Sequence, residues 1–402
     1  MSDGPREVWH GITRMVRGGA QLVVLDLLAG LDRSRFTPVL VAGEETGSEG
    51  SLWPEAEALG IEIIRVPSLV RRPSPWHDCR ALFALTKLLR ARRPAIVHSH
   101  TSKAGFLLSR AARRARIESI VFAPHGHIVG LDAAIPGVPR RGWKRALLKK
   151  LAIQSSRDAH VVVCPNESER RDGIELGMWE EDSSLVVPNG IDPGKFIPGD
   201  RASVRAQWDL PLDAPIVGVI ARHTREKGVD VAIEAVAQLP DTHLVLIGDG
   251  PEQSALRSLA AQHAITERVH FFGLRDDVPA LIPAFDVVAV PSRTEAHGLV
   301  AAEALSCEVP VVASAVGGLR SVVVEEKVGT LVRPDDAAAL ANALRRVLTD
   351  RPWAERLGRQ GRRLIIDEWS LEAMLRGTEE LYDRLSGEPS REEPSPSISV
   401  PS

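Results

Sequence analysis

Two carboxylates separated by seven residues are the most informative chemical feature of this 402-residue chain. Glu295 lies in a loop after the apolar run 285–291, and Glu303 lies one turn into the helix-forming run that begins at Leu299. A strand, a loop and a helix start in this order present unpaired backbone N–H groups and the positive end of a helix dipole. Carboxylates around such an anion site suit a ligand with phosphates and many hydroxyls, such as a nucleotide sugar. A surface acid beside a helix-face acid is the alternative.

Two cations follow another predicted strand, at residues 215–220. Arg222 and Lys227 lie in the loop between that strand and the helix-forming stretch 229–239. Cations at the carboxyl end of a strand can neutralise a diphosphate and stabilise it as a leaving group. Two solvated surface cations are the alternative for this pair taken alone.

Glycines occupy further positions where a predicted strand gives way to a helix. Gly18 and Gly19 follow the first strand, Gly248 lies in a later turn, and Gly317-Gly318 follows the strand before the last. Glycine lets backbone N–H groups approach an anion closely at a helix N-terminus. An ordinary glycine turn explains each position equally well.

The elements that must position these residues alternate along the chain. Short apolar runs are separated by helix-forming stretches, and this alternation predicts an α/β protein with parallel sheets covered by helices on both faces. The first series of predicted strands covers residues 8–12, 37–42, 61–66, 95–98, 119–123, 160–164 and 184–187. The second series covers residues 215–220, 243–247, 269–272, 287–290, 309–313 and 329–332.

A stretch with three prolines and three glycines, residues 188–199, separates the two series. We therefore predict two doubly wound, Rossmann-like domains that face each other across a central cleft, because such sheets bind ligands beyond the carboxyl ends of their strands. The predicted boundaries are residues 1–188 for an N-terminal acceptor-binding domain, 189–200 for a linker, 201–370 for a C-terminal nucleotide-binding domain, 371–385 for a last helix and 386–402 for a disordered tail.

The composition, 44% hydrophobic and 26% charged, is typical of a soluble globular protein. Cys79, Cys164 and Cys307 are too few and too scattered for a disulfide framework or a cysteine metal site. The N-terminal residues contain no signal-peptide core, and no run approaches the ~20 apolar residues that span a bilayer. These features predict a cytoplasmic protein.

Positive charge is concentrated in the first half of the chain. Residues 65–157 contain 20 Lys and Arg against three acids, a net charge of +17, although the whole chain carries −3. This asymmetry predicts an anionic partner, either a membrane surface, a nucleic acid or a phosphorylated substrate. Solvated arginine-rich helix faces are the alternative. Within this segment, one aromatic side chain lies among several cations, a pattern that suits anionic lipid headgroups. The residues are Arg140, Arg141, Trp143, Lys144, Arg145, Lys149 and Lys150.

Together and in this order, the motifs resemble those of retaining glycosyltransferases with the two-domain GT-B fold, the large family 4 type with an E-x7-E motif. This family includes transferases of bacterial cell envelopes and polysaccharides. The resemblance covers about residues 6–385, and it is carried by Val187-Pro-Asn-Gly-Ile-Asp192, Arg222 with Lys227-Gly228, Val245-Leu-Ile-Gly-Asp-Gly-Pro251, Glu295 with Glu303, and Gly317-Gly318. It implies transfer of a sugar from a nucleotide sugar, with a UDP-sugar as the expected donor and neither a metal nor another cofactor.

The resemblance also implies residue roles. Arg222 and Lys227 should bind the donor diphosphate, Glu295 should contact the donor sugar, and Glu303 should hold the ribose hydroxyls. His125, after the strand 119–123, matches the family's active-site histidine. The expected catalytic residues are thus His125, Arg222, Lys227 and Glu295. The expected donor-binding residues are Gly18, Gly19, Gly248, His297, Gly298, Leu299 and Glu303.

The acceptor side is predicted from His98-Ser-His-Thr-Ser-Lys-Ala-Gly105, which resembles a stretch of bacterial transferases that extend lipid-linked or envelope saccharides. Lys103 at a helix start is placed to hold an acceptor phosphate. A saccharide acceptor linked to a polyprenyl diphosphate at the inner membrane face would also explain the basic N-terminal domain, and we expect no nucleic-acid partner. The expected acceptor-binding residues are His100, Ser102, Lys103 and His127.

Three alternatives accompany this interpretation. His98, His100, His125 and His127 could form a metal cluster, but no carboxylate accompanies them and the family works without a divalent ion. A non-catalytic subunit of the same fold is disfavoured by the intact motifs. A hydrolase or epimerase of nucleotide sugars is disfavoured by the basic N-terminal domain, which argues for a larger anionic acceptor.

The sequence departs from the family pattern at two places. His297 replaces the usual aromatic residue of the E-x7-E loop, and Arg320 and Ser321 occupy the stretch where an acid often follows the two glycines. Both departures bear on the choice of donor.

Overall fold

The computed structural model describes residues 4–44, 47, 50–126 and 143–387. Within them, the first sheet contains the parallel strands β1 (Arg6–Arg14), β2 (Phe36–Gly43), β3 (Glu62–Arg65), β4 (Ile96–His100), β5 (Ser119–Ala123), β6 (Val161–Cys164) and β7 (Ser184–Val186). Its helices are α1 (Gly19–Gly30), α2 (Trp53–Ala58), α3 (Pro75–Arg92), α4 (Ser102–Ala115), α5 (Trp143–Asp158) and α6 (Glu167–Glu175).

The second sheet is also parallel in the part of the chain that is described. Its strands are β8 (Ile216–Ile220), β9 (His243–Ile247), β10 (Val269–Gly273), β11 (Val287–Val290), β12 (Val311–Ser314) and β13 (Gly329–Val332). The helices of this half are α7 (Arg201–Gln207), α8 (Val229–Ala237), α9 (Gln253–Gln262), α10 (Val278–Leu281), α11 (Leu299–Ser306), α12 (Leu319–Val322), α13 (Ala337–Thr349), α14 (Arg351–Glu368) and α15 (Leu371–Leu385).

Both sheets are doubly wound. The strand orders are β3-β2-β1-β4-β5-β6-β7 and β10-β9-β8-β11-β12-β13, so the order reverses between β1 and β4 and again between β8 and β11. Ligands of such sheets bind outside the carboxyl ends of the strands at this switch point. The predicted fold class is confirmed: the protein is α/β, with two doubly wound, Rossmann-like sheets.

Alternating side chains of the central strands fill two separate cores. Trp9 of β1 is fully buried in a cluster with residues of α3 and α4, whereas its neighbour Val8 belongs to a cluster on the opposite face with residues of α1 and α15. Burial on both faces explains why these strands are continuous apolar runs in the sequence. Truncating a side chain such as Trp9 to alanine costs about 3–5 kcal/mol, so this core holds the strand ends in place.

The chain passes between the two sheets twice, and the two passages are hydrogen-bonded to each other. Ile191 N donates to Trp369 O at 2.9 Å, and Leu371 N donates to Ile191 O at 2.7 Å. A side chain at Gly190 would lie 2.4 Å from Ser370 O, so this close approach requires glycine.

After this second passage, α15 packs against the first sheet. Arg6 pairs with Asp383 at 2.6 Å and Arg35 pairs with Glu379 at 2.7 Å. Both pairs join the N-terminal residues to the C-terminal helix. None of the described helices combines the length and the hydropathy needed to cross a bilayer.

Candidate active site between the two sheets

The E-x7-E loop connects β11 to α11. Gly298 precedes the helix with φ of 72°, a left-handed conformation that favours glycine. The helix begins at Leu299, so the N–H groups of its first turn have no intrahelical acceptor. Glu303 lies one turn further on and is half-buried. Burial raises the pKa of Glu303 to about 7, with the Lys195 cation acting in the opposite direction.

Lys227 and Glu295 form an ion pair across two strand-end loops. Lys227 Nζ lies 2.7 Å from Glu295 Oε2, and Ser292 Oγ donates to the same oxygen at 3.1 Å. Lys227 ends a short 3-10 turn after β8, whereas Glu295 follows β11. The neighbouring strands thus bring together a cation and a carboxylate that the sequence separates by 68 residues. Arg222 lies on the same loop as Lys227, and its side chain is exposed.

Three predicted glycines allow close packing between the loops. A side chain at Gly248 would lie 2.0 Å from Ala221 O, one at Gly317 would lie 2.0 Å from Glu295 O, and one at Gly318 would lie 2.3 Å from Ala296 O. Gly318 N also donates to Glu295 O at 3.0 Å. Gly317-Gly318 therefore lies against the E-x7-E loop and supports its backbone.

Gly18 and Gly19 lie at the start of α1, on the N-terminal side of the cleft. Gly18 is extended, and α1 begins at Gly19. A side chain at Gly19 would lie 3.2 Å from Leu299 Cδ1. The start of α1 therefore approaches the start of α11 across the cleft, so two helix N-termini meet where an anionic ligand would be stabilised.

Other residues of the N-terminal domain contact the same loop. Asn166 Nδ2 donates to Ala296 O at 3.2 Å, and Asn189 Nδ2 donates to His297 Nδ1 at 2.8 Å. A side chain at Gly126 would lie 2.1 Å from Ala296 Cβ. The loop that carries Glu295 is therefore also a contact between the two domains.

A buried carboxyl lies directly behind this contact. Glu169 Oε1 accepts a hydrogen bond from Gly126 N at 3.1 Å, and the side chain is almost fully buried. Burial raises the pKa of Glu169 to about 8, with the Gly126 N–H acting in the opposite direction. The carboxyl is therefore mostly protonated near neutral pH.

His125 lies beside His297 in the cleft. It follows β5 with φ of 54°, and its ring centroid is 5.6 Å from that of His297. Behind it, His100 Nδ1 lies 2.9 Å from His125 Nε2. A non-glycine residue in the left-handed region is uncommon and often marks a functional site.

The predicted acceptor residues are less accessible than the sequence indicated. His100 is fully buried and both of its nitrogens contact other histidines, so it lies behind the cleft surface rather than on it. Lys103 Nζ pairs with Asp78 Oδ1 at 2.7 Å and donates to Arg72 O at 2.6 Å. Ser102 begins α4. His127, Arg140 and Arg141 lie outside the described residues.

A cluster of His98, His100, His125 and His127 was the disfavoured alternative from the sequence, and His127 lies outside the described residues. Among the described residues, His10, His98 and His100 form a buried group whose ring nitrogens lie within 4.8 Å of one another. His10 Nδ1 lies 3.2 Å from His100 Nε2, and Tyr382 Oη lies 2.7 Å from His98 Nδ1. The ring nitrogens of these three histidines, apart from His98 Nε2, form hydrogen bonds with other histidines or with Tyr382.

Sequence reasoning missed His10, Asn166, Glu169 and Tyr382, and it included Asn189 only as part of the motif Val187–Asp192, without a role. One signal was available for His10, because a doubly wound sheet places its first strand beside its fourth and His10 is in register with His98. The others depend on loop and domain contacts for which the sequence has no periodic signal.

Comparisons with known proteins agree with this geometry. The family profile described as Glycosyl transferase 4-like domain matches residues 18–190, and the one described as Glycosyl transferases group 1 matches residues 200–364. A D-inositol 3-phosphate glycosyltransferase of Stackebrandtia nassauensis is 37% identical and covers 85% of this chain and 81% of the relative. A GDP-mannose-dependent alpha-(1-6)-phosphatidylinositol monomannoside mannosyltransferase of Mycolicibacterium smegmatis is 30% identical over 83% of this chain and 89% of the relative.

Solved structures show the same architecture. Sucrose-phosphate synthase of Thermosynechococcus elongatus superposes with a TM-score of 0.81 and 25% identity, covering 95% of this chain and 99% of that one. HepE of Anabaena in complex with UDP superposes with a TM-score of 0.79 and 22% identity, covering 94% and 100%. The two family profiles, the relatives and the shared fold show that this chain belongs to the GT-B glycosyltransferases of the family 4 type.

Proposed function

We propose that the protein is a retaining, metal-independent glycosyltransferase that moves a sugar from a nucleoside diphosphate sugar to a phosphate-bearing acceptor. The observation that carries the proposal is the Lys227–Glu295 ion pair beside the start of α11. A cation, a carboxylate and unpaired helix N–H groups converge there. This set matches a diphosphate next to a sugar with several hydroxyls.

The expected chemistry is mainly positioning and charge stabilisation. The bond from the sugar to the diphosphate breaks, and negative charge grows on the departing diphosphate. Lys227, Arg222 and the helix N–H groups stabilise that charge. The acceptor hydroxyl attacks the same face of the sugar and gives its proton to the departing phosphate. Glu303 accepts hydrogen bonds from the ribose hydroxyls and holds the nucleotide.

The donor is proposed to be a UDP-sugar, with a GDP-sugar as the second candidate. HepE, which shares the fold, was solved with UDP, whereas one relative is named as dependent on GDP-mannose. A screen of UDP-, GDP- and ADP-sugars for hydrolysis without an acceptor distinguishes these donors. Release of UDP that persists in EDTA is the expected result. If EDTA abolishes turnover, the proposal that the enzyme needs no metal is contradicted. If none of the sugars is hydrolysed, the proposal that this cleft binds and cleaves a nucleotide sugar is contradicted.

The acceptor is proposed to be a phosphorylated inositol or saccharide, either free or linked to a lipid. Both relatives carry an inositol phosphate in their names, as D-inositol 3-phosphate in one and as a phosphatidylinositol mannoside in the other. The test compares inositol phosphate, inositol and a polyprenyl-diphosphate saccharide as acceptors for the selected donor. Faster release of nucleotide with unphosphorylated inositol than with either phosphorylated acceptor would contradict the proposal.

The basic segment supports a membrane-associated acceptor. Its helices α3, α4 and α5 are neighbours in one layer, since α4 contacts both of the others. Trp76 and Phe83 on α3 are 69% and 73% exposed, and Arg80 lies over the Trp76 ring at 5.8 Å. Exposed aromatics among cations suit the interface of an anionic bilayer. Exposed cations of the layer include Arg80, Lys87, Arg90, Arg113, Arg114, Lys150 and Arg157.

Vesicle co-sedimentation tests this surface. Changing Trp76 and Phe83 to alanine should release the protein from anionic vesicles at low salt and leave donor hydrolysis unchanged, because the donor cleft is formed elsewhere. Leu274→Ala is the matched control, since Leu274 is 73% exposed but lies in the other domain. If the wild type sediments equally with neutral and anionic vesicles, the cations do not bind anionic lipid and are ordinary solvated surface residues.

A further inference from the structure

A continuous chain of hydrogen bonds runs through the core of the N-terminal domain to the cleft. It joins His98 Nδ1 to Tyr382 Oη at 2.7 Å, Tyr382 Oη to His10 Nε2 at 3.2 Å, His10 Nδ1 to His100 Nε2 at 3.2 Å, and His100 Nδ1 to His125 Nε2 at 2.9 Å. All five side chains are buried. We call these five residues the histidine relay.

The fold brings the relay together from three distant parts of the chain. His10 of β1 is in register with His98 of β4, and His100 follows two residues later on the same face of the strand. Tyr382 comes from α15, which returns from the C-terminal domain to this sheet. The relay therefore connects the helix that ties the two domains together with the histidine that faces the cleft.

Burial keeps the internal histidines neutral near pH 7. It lowers the pKa of His10 to about 3, and it lowers the pKa values of His98 and His100 well below the ordinary value, with the neighbouring rings adding to the effect on the latter two. A neutral imidazole carries one N–H, so each ring has one donor nitrogen and one acceptor nitrogen.

The buried end of the relay fixes the direction of its hydrogen bonds. Among the residues that the structure describes, His98 Nε2 has no hydrogen-bond partner, and it is shielded from solvent. A buried N–H without an acceptor is more costly and rarer than an unused lone pair. The proton of His98 is therefore on Nδ1, where it is donated to Tyr382 Oη. Tyr382 then donates to His10 Nε2.

The same direction continues to the cleft. Because His10 Nε2 accepts, His10 Nδ1 carries the proton and donates to His100 Nε2, and His100 Nδ1 in turn donates to His125 Nε2. Each of the four hydrogen bonds of the relay then has one donor and one acceptor. The reverse direction would leave an N–H at His98 Nε2 without an acceptor. His125 is thus held with its proton on Nδ1.

We propose that the histidine relay holds His125 in one tautomer and one ring orientation for its contact with the donor sugar. His10, His100 and Tyr382 are then positioning residues that act through His125. This inference rests on the proposed function, because that function supplies the role of His125. A histidine with a fixed tautomer presents the same edge to the substrate in every turnover, so orientation is set before the donor binds.

Tyr382→Phe tests the relay with a minimal change. It removes one hydroxyl and keeps the ring that packs against Phe36. Long-range proton–nitrogen spectra of protein labelled at histidine report the tautomer, with the His125 signal identified by its loss in His125→Asn. In the wild type, the Nδ1–H form should be the one observed at His125. In Tyr382→Phe, His125 should populate both tautomers.

Activity gives a second and independent readout. Turnover of the UDP-sugar should fall by up to about tenfold in Tyr382→Phe, the range of one neutral hydrogen bond, while the dissociation constant for UDP stays unchanged. His100→Gln keeps an N–H that can donate to His125 and should retain more activity than His100→Leu. Leu381→Met is the packing control, because Leu381 is a buried residue of α15 outside the relay.

Several outcomes would overturn the relay. One is a wild-type His125 with its proton on Nε2, and another is an identical His125 spectrum in Tyr382→Phe. One bound zinc per purified chain, lost together with the histidine signals on chelation, would assign His10, His98 and His100 to a metal site instead. If His125→Asn lowers turnover but Tyr382→Phe and His100→Leu do not, the relay fails and the proposed function stands. If the wild type hydrolyses none of the nucleotide sugars, the proposed function fails while the spectra still decide the tautomer.

Discussion

At the scale of single residues, the Lys227–Glu295 pair explains how a cation can be ready for a diphosphate before the donor arrives. Glu295 Oε2 receives hydrogen bonds from both Lys227 and Ser292, so the carboxylate holds the ammonium group in place. Side-chain entropy is then lost on folding rather than on donor binding. The carboxylate oxygens that the donor sugar would contact are ordered by the same bonds.

Lys227→Ala should reduce turnover more than it reduces nucleotide affinity, because negative charge on the diphosphate grows as the bond breaks. Losing one such charge-stabilising group typically lowers kcat by about 10²–10³-fold. The measurement is kcat for the selected donor together with calorimetric binding of its nucleoside diphosphate. Lys327→Ala, at an exposed cation of the same domain, is the control and should behave as the wild type. A Lys227→Ala enzyme with wild-type kcat would remove this residue from the proposed mechanism.

Glu303→Gln should weaken nucleotide binding in a pH-dependent manner. The pKa of Glu303 is raised to about 7 by burial, and the ionised form is the better acceptor for two ribose hydroxyls. Wild-type affinity should therefore rise as the pH increases through about 7, by about tenfold between protonated and ionised forms. The variant should be weaker at pH 8 and close to the wild type at pH 6. Calorimetry on both proteins at both pH values separates Glu303 from the titration of the phosphate, and parallel pH profiles would contradict the assignment.

Spacing along the sequence located the loop and helix start that carry Glu295 and Glu303, and the strand that precedes Lys227. The ion pair between Lys227 and Glu295 was not predicted, because it depends on the contact between two loops. The relay escaped prediction because Tyr382 and His10 are 372 residues apart and meet only after α15 has docked. A lone tyrosine in an amphipathic helix carries no sign of its partner.

At the scale of elements, glycines at the ends of strands fit neighbouring loops together. Gly228, with φ of 63°, lies so close to the next loop that a side chain there would be 2.1 Å from Pro291 O. Gly248 and Gly317-Gly318 are equally close to backbone carbonyls. The sequence suggested that such glycines approach an anion. In the structure these particular glycines approach protein backbone, and the loops that they support carry the polar side chains.

Gly318→Ala should disturb the donor site without touching the donor. The added methyl group would lie 2.3 Å from Ala296 O and 2.9 Å from His297 Cα, both backbone atoms of the E-x7-E loop. Overpacking of this kind costs about 1–3 kcal/mol of the free energy of unfolding. Urea denaturation should show this loss, and nucleotide affinity should fall with it because the loop must move.

Gly377→Ala is the control for this substitution. Gly377 lies in α15, and its added methyl group would meet only Val187 at 3.5 Å, an ordinary van der Waals contact, so nucleotide affinity should not change. A Gly318→Ala protein with wild-type affinity and stability would show that the loop accommodates the methyl group.

Strand positions were the most predictable elements, because parallel strands buried on both faces are continuous apolar runs. Helix ends were less predictable. For example, α8 ends at Ala237, two residues before the predicted end at residue 239, since a residue that precedes a proline, here Pro240, is disfavoured in a helix. The six-residue α2 was not predicted, as it is too short for a periodic pattern to emerge.

At the scale of the whole molecule, several contacts between the domains meet at the E-x7-E loop. Residues from four separate segments of the N-terminal half, Gly19, Gly126, Asn166 and Asn189, approach residues 296–299. Domain contact and the conformation of this loop are therefore linked. The linkage could not be predicted from the sequence, because it depends on how two independently folded sheets face each other.

The stability of the protein should depend on pH through Glu169, which lies at this interface. Its folded-state pKa of about 8 lies above the ordinary carboxyl value of 4.5, so between these values the folded protein holds a proton that the unfolded chain has lost. The free energy of unfolding therefore decreases as the pH rises from 4.5 to about 8, and the loss is complete above that range. A change of this size is on the order of a few kcal/mol.

Glu169→Gln should remove this pH dependence, because glutamine resembles the protonated acid and still offers an oxygen to Gly126 N. The variant should unfold at about the same urea concentration as the wild type at pH 5, and it should be more stable by a few kcal/mol at pH 8.5. Glu180→Gln is the control, at an exposed acid of the same domain whose substitution should leave the wild-type profile unchanged. If the wild type and Glu169→Gln lose stability in parallel from pH 5 to 8.5, the carboxyl is already ionised in the folded protein. Gly126 N, beside its contact with Ala296, would then donate to an ionised carboxylate, and raising the pH would not weaken the contact between the domains.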